Sequence, residues 1–453
     1  MTTDPIDGGA PDWTAELARV EAALAARQPT RMVPDLDRIT DLVDLLGSPQ
    51  RSYPAIHLTG TNGKTSTARM IDALLRSFGL RPGGHTSPHL ESVTERICLD
   101  GAPVTAEQFV RAYAEVAPFL SLVDARHPDP VTYFEVLTAM AFAAFADAPV
   151  DVAVLEVGLG GTWDATNVVR AQVAVLTPIA LDHTALLGDT VGAIATEKAG
   201  IVHAGALVVT SQQPLEAAEV LLRRVADVGA TVAREGLEFG VASRSVAVGG
   251  QMVSLQGLGG SYPEIFLPLH GTHMAANAAC ALAAVEAFLG GGRGALDVEA
   301  VRAGFAAVTS PGRLETVRTS PTVVLDAAHN PAGAAALATA LEDAFTFDRL
   351  VGVVGMLADK DVGGVLEALE PVLHTVVLTA PDSPRAMSAD ELAAVAVGIF
   401  GADRVLVEPR LDDALETAVH IAEDDDAALG GAGVLVTGSV ITVGAARTLL
   451  RRR

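Results

Sequence analysis

Only three of the 31 basic residues in this 453-residue chain are lysines, and Lys64, Lys198 and Lys360 each sit in a stretch that reads as a motif. A chain that uses arginine elsewhere keeps lysine where a compact ammonium, or an amine that can lose its proton, is needed, because guanidinium supplies neither. Lys64 lies in "TGTNGKTS", a glycine-rich turn between a short apolar run and a helical pattern. Such a turn aims backbone N–H groups at a polyphosphate. Thr61, Asn62 and Gly63 form the cradle, Lys64 brings a point charge to the β- and γ-phosphates, and the Thr65 and Ser66 hydroxyls suit Mg2+. The strict Walker pattern wants glycine where Leu58 stands, so the strand-to-helix context carries the reading.

Further polar residues follow at the ends of apolar runs. "VDVAVLEVGLGGTWDATNVV" places Glu156 at the end of one run, before a glycine turn with Asp164 and Asn167. In an open α/β sheet that edge is where ligands bind, and a carboxylate beside phosphates most simply coordinates Mg2+. "AQVAVLTPIALDHTALLG" delivers Asp182 and His183 from the end of another run. Lys198, in "ATEKAGIV", falls on a helix expected to start near Thr190; it is either a surface lysine or one drawn into the metal site, possible as a carbamate only for a deprotonatable amine.

These residues need strands to carry them. From Tyr53, the runs "PAIHLTG", "VDVAVLEVG", "AQVAVLTPI" and "ALVVTS" alternate with helical patterns, the signature of a parallel sheet with crossover helices. "TYFEVLTAMAFAAFAD" reads as a buried helix, apolar nearly all round. "SVAVGGQMVSLQG" reads as a hairpin turned at Gly249-Gly250, in a small β segment. A Ser-Pro-Gly cluster near Ser310 precedes a second alternation, "TVVLDAAHN", "RLVGVVGML", "HTVVLTAP", "RVLVEP" and "GAGVLVTGS", expected to form a Rossmann-like α/β domain of five strands. The expected division is therefore a helical lead-in over 1–50, a P-loop domain over 51–309 and a second α/β domain over 310–453.

Composition narrows the partners. Fifty-five acidic residues give a net charge of −24, which repels nucleic acid and anionic membrane over most of the surface. The apolar runs are broken every five to eight residues, so no membrane span is expected. The acidic "MTTDPIDGGAPDW" lacks the features of an export signal, and two cysteines, Cys98 and Cys280, suit a reducing cytoplasm.

Taken in order, "GTNGKTS", "TSPHL", "ERI", "YFE", "LEVGLGGTWDATN", "LDHTALLG", "EKAGI", "HMAANAACALAA", "PGRLE", "LDAAHNPAG", "ADKD" and the Gly438-Ser439 pair resemble the dihydrofolate synthase/folylpolyglutamate synthase family of Mur-ligase-like ATP-dependent amide ligases. The resemblance runs from about Pro34 to Arg447 and implies site roles. Ser87 and Glu156 would ligate a Mg2+ bridging the ATP phosphates, and His183 with a carbamylated Lys198 would help hold a second. Asn277, Arg313 and Asp326 would join the P-loop in holding ATP. Pterin contacts fall on Thr132, Tyr133, Phe134 and Glu135, and on Trp163, Asp164 and Ala165. His329 and Ser439 would face the incoming glutamate. Departures occur at "PGGHTSPHL", where glycines replace a more apolar strand ahead of Ser87, and at Thr162-Trp163.

The activity implied is ligation of L-glutamate to dihydropteroate and to the glutamate tail of reduced folates, through an acyl phosphate, by a monomer. Lys64, Glu156, His183, Lys198 and His329 are the expected catalytic set. A Mur-type or cyanophycin-type ligase acting on another carboxylate, and a P-loop module that binds ATP without ligation, remain as alternatives.

Overall fold

The computed structural model describes residues 11–29, 31–423 and 431–451, so most of the acidic N-terminal stretch lies outside the described residues. It is an α/β protein with two large sheets and a small one, as the apolar runs imply. The chain enters through α1 (Trp13–Ala25), whose first N–H groups are capped by Asp12, and α2 (Asp37–Leu45). Strand β1 (Ala55–Thr59) then feeds the glycine turn and α3 (Lys64–Ser77).

Next come β2 (Pro82–His85), β3 (Ile97–Leu99), β4 (Ala102–Pro103), α4 (Ala106–Asp124), α5 (Tyr133–Asp147) and β5 (Val152–Glu156). They are followed by β6 (Val173–Leu176), α6 (Thr184–Leu187), α7 (Val191–Lys198), β7 (Leu207–Thr210), α8 (Leu215–Val228) and β8 (Thr231–Arg234). The eight strands pair in the order β4-β3-β2-β5-β1-β6-β7-β8, and from β2 to β8 every pairing is parallel. Strands β2, β3, β4 and β8 do not stand out in the sequence. Gly83 and Gly84 hide β2, and Gly83 is required because a Cβ there would lie 2.6 Å from the Phe145 ring.

Both faces of this sheet are covered, as parallel sheets require. Ala153 and Leu155 face a core built with α1, α2, α4 and α5, so the first two helices are packed into the body of the molecule. Val152 and Val154 face the other way, toward α3 and α9 (Thr272–Gly290). By length and hydropathy α9 alone among the described helices could cross a membrane, contrary to the expectation that no such run exists; 72% of that stretch is buried inside the protein. Its alanines let it lie close against α3.

Strands β9 (Gly240–Ala247), β10 (Gly250–Gln256) and β11 (Ser261–Leu267) form the small antiparallel sheet. Its first hairpin turns at Val248-Gly249, one residue earlier than expected, because Ala247 pairs with Gly250 and Gly249 has a φ of +76°. After α10 (Val298–Ala306), the second large sheet has six strands in the order β12-β13-β17-β14-β15-β16: β12 (Glu315–Thr319), β13 (Thr322–Leu325), β14 (Arg349–Val354), β15 (Thr375–Leu378), β16 (Val405–Val407) and β17 (Ala432–Thr437). The sixth, β12, is an antiparallel edge strand whose polar "ETVRT" carries no apolar run. α11 (Pro331–Ala344), α12 (Val362–Leu369) and α13 (Ala389–Phe400) cover one face, α14 (Leu411–Glu423) and α15 (Val440–Arg451) the other.

Candidate active site

The site is built from strand ends. In the first sheet β2, β5, β1 and β6 are adjacent and parallel, so the residues just past them emerge along one edge: Thr86 and Ser87, Glu156, the glycine turn, and Asp182 with His183. In the second sheet β13, β17 and β14 are likewise adjacent, and their ends lead to Asp326–Asn330, Gly438-Ser439 and, a little further on, Lys360. The two edges border one cavity of about 240 Å³. Thr61, Asn62, Gly63, Lys64, Thr65, Ser66, Ser87, Glu156, His183, Lys198, Asn277, Arg313, Asp326 and His329 all line it. The structure thus gathers into one space every residue that the sequence assigns to nucleotide, metal or catalysis.

The glycine turn has the backbone that a phosphate cradle needs. Gly60 and Gly63 have φ of +152° and +86°, and a Cβ on Gly63 would lie 2.7 Å from Asn277 Oδ1. Lys64 Nζ donates to the carbonyls of Gly60 (2.9 Å) and Thr61 (3.1 Å), folding the ammonium back over its own turn. Lys198 Nζ donates to the same Gly60 carbonyl at 2.8 Å. Burial, and then the charge of Lys64, lower the pKa of the Lys198 amine to about 7, which makes its neutral form more accessible than that of an exposed lysine.

Glu156 is buried at the end of β5 and accepts from Thr65 Oγ1 (2.9 Å) and from Thr86 Oγ1. The oxygen donors here, Thr65, Ser87 and Glu156, are of the hard kind that would suit Mg2+. Among the described residues no group of three or more His, Cys, Asp or Glu side chains is placed to hold a metal ion. Ser66 lines the cavity, but its hydroxyl pairs with Ser310 at 3.2 Å.

The opposite wall centres on Asp182. Its carboxylate accepts from Lys360 Nζ at 2.6 Å, from Asn330 Nδ2 at 3.2 Å and from the His183 N–H at 2.8 Å, and lies 3.5 Å from His329 Nε2. Burial alone would raise this carboxylate; the His329 hydrogen bond and the His183 and Lys360 charges outweigh it and hold Asp182 well below the usual range. Lys360 also approaches His183 Nε2 at 3.3 Å, and burial lowers that imidazole to about 4. His183 and Lys198 therefore face different partners in this structure. Asn62 and Asn330 exchange two amide hydrogen bonds, 3.1 and 3.0 Å, across the same gap.

Lys360 and Asn330 have no assigned role in the sequence reading, although the rarity of lysine and the "ADKD" stretch mark the first. Asp326 accepts from the N–H groups of Leu314 and Ala328, both at 2.9 Å, so its carboxylate also shapes the loop that carries Arg313 and His329. Ser439 does not reach the cavity: its hydroxyl bonds Thr442 Oγ1 (2.7 Å) and caps α15.

None of the pterin-assigned residues lines the central cavity. Thr132 and Glu135 cap α5 reciprocally, and Glu135 forms a buried ion pair with Arg38 at 3.0 Å. The Tyr133 ring carries the Arg96 guanidinium 5.3 Å from its centroid, and Trp163 is half-buried with Ala165 beneath the surface beside it. Phe134 packs on Gly158, where a Cβ would lie 2.6 Å from the ring, and Asp164 holds the same turn by accepting from the Leu159 N–H at 2.9 Å. The two groups meet at that glycine turn, next to the cavity.

A phosphate cradle on one sheet, closed over by a second sheet's strand ends, defines an ATP-dependent ligase of the Mur type. The chain matches the Mur ligase middle domain over residues 58–285 and the Mur ligase, glutamate ligase domain over 312–440. It is 53% identical to a Mycobacterium tuberculosis dihydrofolate synthase/folylpolyglutamate synthase, over 98% of this chain and 95% of the relative. Solved structures that it resembles include Mycobacterium tuberculosis folylpolyglutamate synthase complexed with ADP (TM-score 0.94, 54% identity, 98% of this chain and 100% of that one) and Escherichia coli FolC in complex with DHPP and ADP (TM-score 0.83, 31% identity, 98% and 100%). The chain belongs to the dihydrofolate synthase/folylpolyglutamate synthase family.

Proposed function

We infer that the protein joins L-glutamate to dihydropteroate and to the glutamate tail of reduced folates, spending ATP and releasing ADP and phosphate. The observation that carries this is the single cavity in which the glycine turn, Glu156 and Lys198 of one sheet meet Arg313, Asp326 and His329 of the other. Residues 51–309 act as the nucleotide half and 310–453 as the glutamate half.

A carboxylate resists an amine because oxide is a poor leaving group. Transfer of the γ-phosphoryl to the acceptor carboxylate gives an acyl phosphate, and the α-amine of glutamate then displaces phosphate. Mg2+, when bound, neutralises phosphate charge. Lys64 gives up its carbonyl partners for phosphate oxygens, and Arg313, whose side chain has no hydrogen-bonded partner among the described residues, faces the same anion. His329 donates Nδ1–H to the Ala327 carbonyl at 2.9 Å and turns Nε2 toward the Asp182 carboxylate, which holds the ring as a donor on the side where glutamate enters; the proton lost by the attacking amine leaves with the released phosphate. Closure of one half on the other keeps water from the acyl phosphate.

Purified protein incubated with Mg-ATP, L-glutamate and either dihydropteroate or tetrahydrofolate is expected to add glutamyl mass to both acceptors, read by mass spectrometry. Mass gain on one alone restricts the activity to that step. ADP release with a different carboxylate acceptor, and none with folates, would replace this reading by the broader Mur-type one; ATP binding without glutamate-dependent ADP would leave a binding module.

A further inference from the structure

We propose that Arg447, on the last helix, is a positioning residue that sets the spacing between the loop carrying Ser87 and the loop carrying Arg313. Its guanidinium is nearly buried, with 8% of the side chain exposed, and bridges two carboxylates from different parts of the chain. Nε and Nη2 reach Glu315 at 2.9 to 3.0 Å, and Nη1 reaches Glu91. Glu315 accepts from the Gly312 N–H at 2.8 Å, next to Arg313. Glu91 follows Ser87 by four residues.

The Ser87 loop is stiff but needs an outside reference. Glu95 gathers the N–H groups of Leu90, Glu91 and Ser92 at 2.8 to 2.9 Å, which fixes the loop's shape and not its place against the second sheet. That place comes from α15. Gly444, one turn before Arg447, lets the Leu90 carbonyl sit where a Cβ would be, 1.9 Å away, while the Leu90 side chain packs on Gly312. Thr448 Oγ1 and Arg451 Nη1 add contacts to Glu91 at 3.1 and 3.3 Å. Ser87 and Arg313 both line the cavity, so one fork of N–H donors fixes a metal-side hydroxyl relative to a phosphate-side cation. A lysine keeps the charge and loses the fork.

This rests on reading Ser87 and Arg313 as metal and nucleotide residues, and the binding arm of its test needs no folate. ADP affinity is measured by calorimetry across a Mg2+ titration for the parent, Arg447→Gln, Arg447→Lys and Glu91→Gln, with melting temperatures alongside. Arg447→Gln is expected to weaken Mg-dependent ADP binding by about tenfold and to raise the half-saturating Mg2+ several-fold, the scale on which outer support of a metal site acts. Glu91→Gln and Arg447→Lys shift both in the same direction by less. KM for the acceptor, measured in the ligation assay, stays within about twofold, because the pterin-assigned residues lie at the start of α5 and beside Gly158, away from Arg447. Should Arg447→Gln not fold, the two milder variants decide. Parental ADP affinity and Mg2+ dependence in the folded variants, or equal weakening toward ADP and acceptor, would overturn the proposal. Loss of folate ligation in the parent would refute the proposed function and leave this measurement readable.

Discussion

Lys360 and Asp182 are 178 residues apart in sequence and 2.6 Å apart in space, with 7% and 8% of their side chains exposed. Removing one partner from such a pair strands a charge, whereas removing both does not. Lys360→Met is therefore expected to cost about 3 kcal/mol, with Asp182→Asn less because the amide keeps some of the contacts to Asn330 and His329. The double variant should recover part of the Lys360→Met loss, giving a coupling of about 1–3 kcal/mol. Urea unfolding of the four proteins reads this; simple additivity would mean the pair does not hold the two sheets together. Local sequence could mark Lys360 by its rarity and could not name its partner. By contrast, the glycine turn and Glu156 were legible, because each is a strand end followed by residues whose types state their chemistry.

At the scale of elements, what the sequence could read depended on whether a segment's own residues carry the reason for its shape. α5 is apolar nearly all round and was legible; the charge within it, Glu135, demanded a partner, but Arg38 lies 97 residues upstream on α2. Strand β12 went unread because its residues are polar and exposed, and β2 because two glycines stand where apolar residues were expected. The same logic separates the Thr132 and Glu135 side chains. Thr132→Ala removes half of a capping box and is expected to cost about 1 kcal/mol. Arg38→Met leaves a buried carboxylate with only the Thr132 N–H as donor and no counter-charge, and should cost about 3 kcal/mol. If thermal denaturation ranked these two the other way, the ion pair would not be the main tie between α2 and α5. Ser439 shows the opposite failure: it lies beside the site in sequence, yet its hydroxyl is spent on the start of α15.

For the molecule as a whole, acid sets charge relief against burial. The chain carries a formal net charge of −24, whose mutual repulsion acid relieves by protonating carboxylates. His57 acts earlier. It is fully buried in β1, with Nε2 2.8 Å from Thr166 Oγ1 and no partner for Nδ1 among the described residues. Burial, followed by the nearby His203 and His85, lowers its pKa from 6.5 to about 3. As pH falls below 6.5, the unfolded chain takes up a proton that the native chain refuses until about 3, so stability conferred by the neutral imidazole is lost through that window. Each pH unit within it costs roughly 1.4 kcal/mol, or about 2 kcal/mol between pH 6.5 and 5. His57→Gln keeps an amide near Thr166 without a titrating group; whatever it costs at neutral pH, its unfolding free energy should decline less steeply toward pH 5 than the parent's. Urea unfolding of both proteins from pH 7.5 to 5 measures the two slopes. Parallel slopes would place the acid sensitivity elsewhere; a flatter variant would tie the stability of the sheet that bears the glycine turn to one neutral imidazole in its centre.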